Sequence, residues 1–231
     1  MKNPNLDLIQ AAAERLRPLL SEVVFVGGCA TGLLITDQAA APVRGTNDVD
    51  VIAEIASYAD YVVFSDRLRA CGFDEDTSEG APVYRWRCAG LVLDLMPLDE
   101  RILGFSNRWY ADALRTSREI ALTKHLVIRL ITAPYFLGTK LEAFRGCGRA
   151  DYFASRDLED LIAVVDGRAS LASEIEAAPA ALRAYVAQAV RELLSNPRFL
   201  DALPGYLLPD ASSQARVGML RDRLYAFSAL G

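Results

Sequence analysis

The chain has 231 residues, of which 52% are hydrophobic, and its formal net charge is −5. This composition is sufficient for a packed core and excludes an intrinsically disordered chain. The negative charge excludes nonspecific DNA or RNA binding, which needs a basic surface, but leaves open a local RNA contact or a nucleotide bound through a metal ion.

The four cysteines are scattered, and no pair has the spacing of zinc ligands. The N-terminal residues lack the apolar segment of a signal peptide, and no apolar run approaches the length of a membrane span. We therefore expect a cytoplasmic protein with free thiols and no membrane partner.

The first predicted elements are an amphipathic helix over residues 6–20 and a strand over Val23–Val26. Gly27 and Gly28 follow that strand, and residues 29–35 have a helical pattern. Glycine lets the backbone approach a ligand closely, and free N–H groups at a helix start bind anions. We interpret this turn as a phosphate cradle.

The next predicted strand carries Asp48 and Asp50, whose side chains should share one face while Val49 and Val51 turn into the core. Two carboxylates on one face repel each other unless a divalent cation or a shared proton lies between them. Arg44, just before this strand, either lies near a phosphate or base or is a solvated loop residue.

A second helix is predicted over residues 55–71, followed by an acidic turn over residues 73–80 that we expect to be exposed. Residues 82–88 and 91–96 then form a predicted hairpin whose second strand carries Asp94. Because a buried bare charge is costly, an aspartate among Val and Leu must be paired, protonated or bound to metal. We favour the metal over a structural hydrogen-bond network.

The glycine turn, the Thr46-x-Asp48-x-Asp50 strand and a third carboxylate at Asp94 together resemble the nucleotidyltransferase superfamily that includes DNA polymerase β. The resemblance implies an α/β (α+β) fold in which helices flank a mixed twisted sheet. It also implies that Asp48, Asp50 and Asp94 are metal ligands for Mg²⁺ (or Mn²⁺).

Further along, we predict a helix over residues 108–114, strands over 120–122 and 126–131, and a helix that starts near Pro134. His125, the only histidine, is expected to have a loop or packing role. Lys140 lies beside an apolar stripe of its helix, so its amine could reach water or act as a point charge for phosphate.

Ser155 could cap a helix on which Asp157 and Asp160 share a face. Plain complementarity with the helix dipole explains Asp157 well, but it explains Asp160 less well. Beyond residue 168 the chain is alanine-rich, with helices predicted over 171–177, 179–194 and 212–229. We therefore predict two domains: a sheet domain over 1–132, and a helical region over 133–231 that completes the active site and caps the core.

The Lys140 helix, a Gly- and Arg-rich turn near residues 146–149 and the Arg-Asp-x-x-Asp-Leu sequence resemble AbiEii/MenT-type nucleotidyltransferases of bacterial toxin–antitoxin and phage-defence systems. The resemblance implies active-site roles for Lys140 and for Asp157 or Asp160, which it does not separate. Gly27-Gly28-Cys29 departs from the commoner Gly-Ser opening, which leaves Thr31 as the candidate to supply the missing hydroxyl.

The sequence thus predicts transfer of an NMP from an NTP to an acceptor hydroxyl on RNA (tRNA for example), protein or a small molecule, with release of pyrophosphate. Asp94 would help deprotonate the acceptor, and Lys140 would neutralise the β- and γ-phosphates. The expected nucleotide-binding residues are Gly27, Gly28, Thr31, Arg44, Thr46 and Lys140. The alternatives are a catalytically idle binding module or antitoxin partner, and a phosphatase or nuclease that uses the same carboxylates.

Overall fold

The computed structural model describes residues 3–147 and 151–231, so the turn predicted around Gly148 and Arg149 lies outside the described residues. The strands are β1 Val23–Val26, β2 Val49–Ala53, β3 Asp74–Glu75, β4 Arg85–Cys88, β5 Leu91–Pro97, β6 Arg118–Thr123 and β7 Leu126–Leu130. The helices are α1 Leu6–Arg15, α2 Gly27–Leu34, α3 Tyr58–Ala70, α4 Glu100–Leu103, α5 Tyr110–Thr116, α6 Ala133–Cys147, α7 Arg156–Gly167, α8 Leu171–Glu176, α9 Ala180–Leu194, α10 Pro197–Ala202, α11 Ala211–Gln214 and α12 Val217–Ser228.

The chain divides into two compact units, which are described separately below. The sheet unit consists of Pro4–Ala30 and Gly45–Thr132. The helical unit consists of Thr31–Arg44 and the described part of Ala133–Gly231, together with Asn3. Residues 31–44 thus belong with the later helices, although they precede most of the sheet in the sequence.

All seven strands lie in one sheet of the sheet unit, in the order β3-β4-β5-β2-β1-β7-β6. The β1/β7 and β2/β5 pairs are parallel, and the other neighbours are antiparallel. Helix α1 contacts β2, β5 and β7, and α5 contacts β2. This mixed sheet with flanking helices confirms the fold class that the sequence predicted.

The alternation of side chains along the central strands separates an apolar face from a charged one. Val49, Val51, Leu93 and Leu95 are fully buried, as is Trp86 on β4. The intervening positions on these strands include the acidic residues and two arginines, besides apolar residues nearer the strand ends. The pleat therefore directs the charged side chains to the opposite face of the same three strands.

Several predicted boundaries were wrong for reasons of capping and proline. The first helix ends at Arg15 and gives way to a 3-10 segment that contains Pro18, because proline lacks the N–H that an α-helix needs. Helix α3 begins at Tyr58, where the Ser57 hydroxyl accepts the N–H of Asp60. The predicted C-terminal helix is split into α11 and α12, and Asp210 caps α11.

Four short elements of the described residues were not predicted, namely β3, α4, α10 and the 3-10 segment Leu203–Tyr206. Strand β3, within the predicted acidic turn, is only two residues long, and both residues are exposed at the edge of the sheet. Helix α4 has a single turn capped by Asp99, and α10 starts at Pro197 behind an Asn196 cap. The two short helices rest on capping hydrogen bonds rather than on an apolar period, so hydrophobic patterning does not indicate them.

The helical unit is built on helix α6, which contacts α7, α8 and α9, while α12 contacts the same three helices. Buried Asp166 on α7 accepts two hydrogen bonds from Arg216, which also binds Asp37. The Gly167 carbonyl accepts the backbone N–H groups of Thr36 and Asp37, and so attaches residues 31–44 to α7. No helix in residues 3–147 or 151–231 is long and apolar enough to cross a membrane.

Candidate active site

Strand β1 is followed directly by a glycine whose backbone conformation and surroundings both exclude a side chain. Gly27 has a φ of +67°, a value that L-residues rarely adopt. A Cβ atom at this position would lie 1.8 Å from Oδ2 of Asp50 and 2.5 Å from its Cγ. The Asp50 carboxylate therefore lies directly against the Gly27 backbone, at the first residue of α2.

The strand register places the acidic residues in one row across the sheet. Val26 on β1 pairs with Asp50 on β2, Asp50 pairs with Asp94 on β5, and Asp94 pairs with Arg85 on β4. Residues directly opposite each other in a ladder share a face of the sheet. Asp48 lies two residues before Asp50, so the three predicted carboxylates lie on the same, charged face.

Arg85 links two of these carboxylates. Its Nε donates to Oδ1 of Asp94 at 2.8 Å, and its Nη2 donates to Oδ2 of Asp94 at 2.7 Å. The same Nη2 lies 3.2 Å from Oδ2 of Asp48. The pair with Asp94 has the bidentate geometry that makes Arg–carboxylate contacts strong. We call Asp48, Asp50, Asp94 and Arg85 the carboxylate cluster.

Asp48 is held from the other side by Thr46. The Thr46 hydroxyl donates to Oδ1 of Asp48 at 2.6 Å, and the backbone N–H of Thr46 donates to Oδ1 of Asn5 at 2.9 Å. Asn5 is buried at the start of α1. The predicted nucleotide-binding residue Thr46 therefore orients a carboxylate in this structure.

The carboxylate cluster perturbs the protonation of its members. Burial raises the pKa of Asp94 above its ordinary value, although the hydrogen bonds and charge of Arg85 act in the opposite direction. The hydrogen bonds to Asp94 raise the pKa of Arg85. Arg85 therefore stays a cation, and Asp94 is a stronger base than an exposed aspartate.

The chemistry of the cluster fits Mg²⁺ or Mn²⁺, because carboxylate oxygens are the ligands that these hard cations prefer. The shared face and the close approach at Gly27 fit a site for a metal-bound phosphate. The present side-chain arrangement is nevertheless built around a guanidinium. Within the part of the chain that the structure describes, no group of three acidic, His or Cys side chains is gathered closely enough to hold a metal ion.

In the helical unit, Lys140 on α6 binds both aspartates between which the sequence could not decide. Its Nζ lies 3.0 Å from Oδ1 of Asp157 and 2.7 Å from Oδ2 of Asp160. Nζ also lies 5.8 Å from the centre of the Phe136 ring. Lys140 and Asp160 are buried, with 8% and 1% of their surfaces exposed. Both aspartates therefore orient Lys140, and Asp160 does so from a fully buried position.

Arg44 belongs to the same network, and it is neither a solvated loop residue nor an isolated one. Its Nε and Nη2 donate to the two oxygens of Asp160 at 3.1 and 3.0 Å. Glu159 lies 3.6 Å from the Arg44 Nε, and burial raises the pKa of this glutamate. Asp160 thus contacts two cations, and both of them lie against its Oδ2.

Of the remaining residues singled out in the sequence, Gly28 and Thr31 are buried and His125 is exposed. Gly28 is buried in the first turn of α2. Thr31 is completely buried, and its hydroxyl has no hydrogen-bond partner among the described residues. A direct contact of this hydroxyl with phosphate is therefore not supported by its position. His125 is exposed in the turn before β7, where its carbonyl accepts from Arg17, in keeping with a loop role.

Sequence reasoning missed Arg85, although the sequence contained a signal for it. Ala89 and Gly90 both have positive φ, as in the two-residue turns that join tight hairpins. Such a turn makes Cys88 and Leu91 partners and thereby fixes Arg85 opposite Asp94. Counting outward from the turn would have placed the arginine beside the carboxylate.

Comparison with known proteins identifies the fold. No protein-family model and no curated protein matches the chain. An antigenic nucleotidyltransferase-like protein from Paracoccidioides brasiliensis is similar in structure, with a TM-score of 0.50, 18% sequence identity, and coverage of 96% of this chain and 93% of that chain.

JHP933 from Helicobacter pylori also matches, with a TM-score of 0.46, 12% identity, and coverage of 97% of this chain and 87% of that chain. The first match shows that the chain has a nucleotidyltransferase-like fold, and at 18% identity it shows the fold alone.

Proposed function

We propose that the chain is a metal-dependent nucleotidyltransferase that moves an NMP from an NTP to an acceptor hydroxyl and releases pyrophosphate. The observation that carries this proposal is the placement of Asp50 and Asp94 side by side on adjacent parallel strands, next to Gly27. Asp48 lies on the same face and shares Arg85 with Asp94. The nucleotidyltransferase-like fold supports the same reaction class.

In this proposal, Asp48, Asp50 and Asp94 hold Mg²⁺ or Mn²⁺. The bound metal supplies charge neutralisation and polarises the phosphoryl group. Backbone N–H groups at Gly27 and Gly28 donate to phosphate oxygens, since the turn leaves the first N–H groups of α2 without partners in the helix.

Asp94 accepts the proton of the acceptor hydroxyl, whose oxygen attacks the α-phosphorus as pyrophosphate leaves. The placement of Asp94 beside Asp50 suits this role, because a general base must lie within reach of the attacking hydroxyl. We retain Lys140 as the cation for the β- and γ-phosphates on the strength of the sequence resemblance alone.

The test is incubation with each α-labelled NTP, Mg²⁺ or Mn²⁺, and a cell extract, with label transfer and pyrophosphate release both measured. We expect Asp50→Asn and Asp94→Asn to lower transfer by about a hundredfold or more, because charge stabilisation at a reacting phosphate is worth several kcal/mol. Asp74→Asn, at the exposed edge of the same sheet, is the matched control and should transfer like the wild type. Unchanged transfer by Asp50→Asn would contradict the proposal.

The same experiment separates the other reaction classes. Release of inorganic phosphate without label transfer would indicate a phosphatase or nuclease. Absence of both, together with no calorimetric binding of any NTP in the presence of Mg²⁺, would indicate an idle binding module. Sensitivity of the labelled product to ribonuclease or protease identifies the acceptor as RNA, such as tRNA, or as protein.

The AbiEii/MenT resemblance further suggests a toxin with an antitoxin partner, which we keep as a proposal. Expression in a bacterial host should then arrest growth, and Asp50→Asn should relieve the arrest. Growth that is equal for both proteins would contradict the toxin role while leaving the transferase reaction intact.

A further inference from the structure

The carboxylate cluster already contains a cation supplied by the chain. Arg85 covers both oxygens of Asp94 and one oxygen of Asp48. The Asp94 side chain is only 5% exposed, whereas those of Arg85 and Asp48 are 25% and 34% exposed. Asp94 is therefore less accessible to a divalent ion from solvent than either Asp48 or the guanidinium that binds it.

A guanidinium and a divalent ion cannot share these oxygens without cost. Two cations a few ångströms apart repel each other, and the repulsion is stronger in a partly buried site than in bulk water. With Arg85 in place, the four side chains of the cluster carry a formal charge of −2, and without it they carry −3. The arginine thus reduces the field that attracts a metal ion.

We propose that Arg85 is a positioning residue that competes with divalent cations for Asp94 and Asp48, and that metal binding displaces its side chain. Arg85 thereby stabilises the metal-free cluster and lowers the affinity of the cluster for metal. The inference rests on the metal site of the proposed function, but it assigns a role to a residue outside the predicted ligands.

Mn²⁺ affinity, measured by electron paramagnetic resonance, provides the test. Arg85→Gln should bind Mn²⁺ about tenfold more tightly or better, since it removes a like charge a few ångströms from the ion. Without metal, the melting temperature of Arg85→Gln should lie below that of the wild type. Saturating Mn²⁺ should raise the melting temperature of Arg85→Gln by more than it raises that of the wild type. The Mn²⁺ affinity of Arg85→Lys should lie between those of the wild type and Arg85→Gln, because lysine keeps the charge but loses the bidentate contact.

Arg87→Gln is the matched control. Arg87 lies two residues further along β4 and binds Asp76 instead of the cluster. It should therefore leave Mn²⁺ affinity at the wild-type value. Equal or weaker Mn²⁺ binding by Arg85→Gln than by the wild type would overturn the competition.

A measurement on the wild type keeps the inference testable if Arg85→Gln does not fold. The Arg85 Nε–H should be protected from solvent exchange without metal, because it is bound to Asp94, and should lose that protection as Mg²⁺ saturates the site. An Arg85 signal that does not change at saturation overturns the inference.

These outcomes separate the inference from the proposed function. If neither the wild type nor Arg85→Gln binds Mn²⁺, both the metal site and the competition are wrong. If the wild type binds and Arg85→Gln binds equally, only the competition is wrong. Binding by Arg85→Gln alone would support the competition and show that the arginine blocks the site.

Discussion

Gly27→Ala tests the contact on which the candidate site depends. The substitution forces alanine into a φ of +67°, and its Cβ would lie 1.8 Å from Oδ2 of Asp50. The overlap extends to the Asp50 Cγ at 2.5 Å and to its Cβ at 2.8 Å. A change of side-chain rotamer alone cannot remove the last of these overlaps, so the backbone at Asp50 or at residue 27 must also shift.

Gly27→Ala should lose stability both from backbone strain and from overpacking, and Gly90→Ala separates these two contributions. Left-handed backbone costs alanine about 1–2 kcal/mol. Gly90→Ala has this cost alone, because Gly90 has a φ of +87° and a Cβ there would meet nothing within 4 Å. Overpacking adds about 1–3 kcal/mol at Gly27, so we expect a total loss of about 2–5 kcal/mol there.

The assay is urea unfolding of both variants, followed by Mn²⁺ binding to the folded proteins. Asp50→Ala should reduce the additional cost of Gly27→Ala, because a double-mutant cycle isolates the contact between two residues. If Gly27→Ala is as stable as Gly90→Ala and binds Mn²⁺ like the wild type, the Asp50 carboxylate is not held against the turn, and our reasoning about the site is wrong.

Three further predictions concern other parts of the chain. Asp160→Asn should lower the free energy of unfolding by about 3 kcal/mol, because it removes a buried ion-pair partner. Asp157→Asn should lower it by about 1 kcal/mol, because the Asp157 side chain is 28% exposed. Equal losses of the two variants in urea unfolding would contradict this ranking. Gly167→Ala should lose about 1–3 kcal/mol from overpacking, since its Cβ would lie 2.7 Å from Cγ2 of Ile35, while Gly146→Ala on α6 meets nothing within 4 Å and should not be destabilised. The hydrogen bond from the Ser78 hydroxyl, followed by that from Arg87, lowers the pKa of Asp76 to about 2. A pKa that is lowered in the folded state gives stability that is lost as the pH falls from about 4 towards 2. Ser78→Ala should therefore raise the NMR titration midpoint of Asp76 and weaken the acid dependence of stability, and an unchanged midpoint would exclude the hydroxyl as the cause.

The sequence contained enough to predict the central strands and the shared face of the acidic residues. Alternation alone directs Asp48 and Asp50 away from buried Val49 and Val51, and the structure has this arrangement. The pairing of Asp50 with Asp94 was not derivable in the same way, because β2 and β5 are parallel and far apart in sequence. No local turn fixes the register of such a pair.

The ion pairs around Lys140 in the helical unit show a different limit of prediction from the sequence. Helical spacing placed Asp157 and Asp160 on one face, and Lys140 was singled out beside an apolar stripe. Which aspartate would contact the lysine depended on how α6 packs on α7, which a helical period does not encode. Arg44 joins the cluster from a segment more than a hundred residues away, so no local pattern could predict its pairing.

An aspartate among apolar residues indicates that a cation is needed, but it does not indicate which one. At Asp94, Asp160 and Asp166 the chain itself provides that cation, namely Arg85, the Lys140–Arg44 pair and Arg216, respectively.

The three sites differ in the balance of charge. Asp160 has two cations in direct contact, and Asp166 shares Arg216 with the more exposed Asp37. At the sheet, a single arginine faces Asp94 and Asp48, while Asp50 lies beside Asp94 in the same row. The four side chains of the carboxylate cluster carry a formal charge of −2 beside a glycine turn, and this charge attracts an external cation.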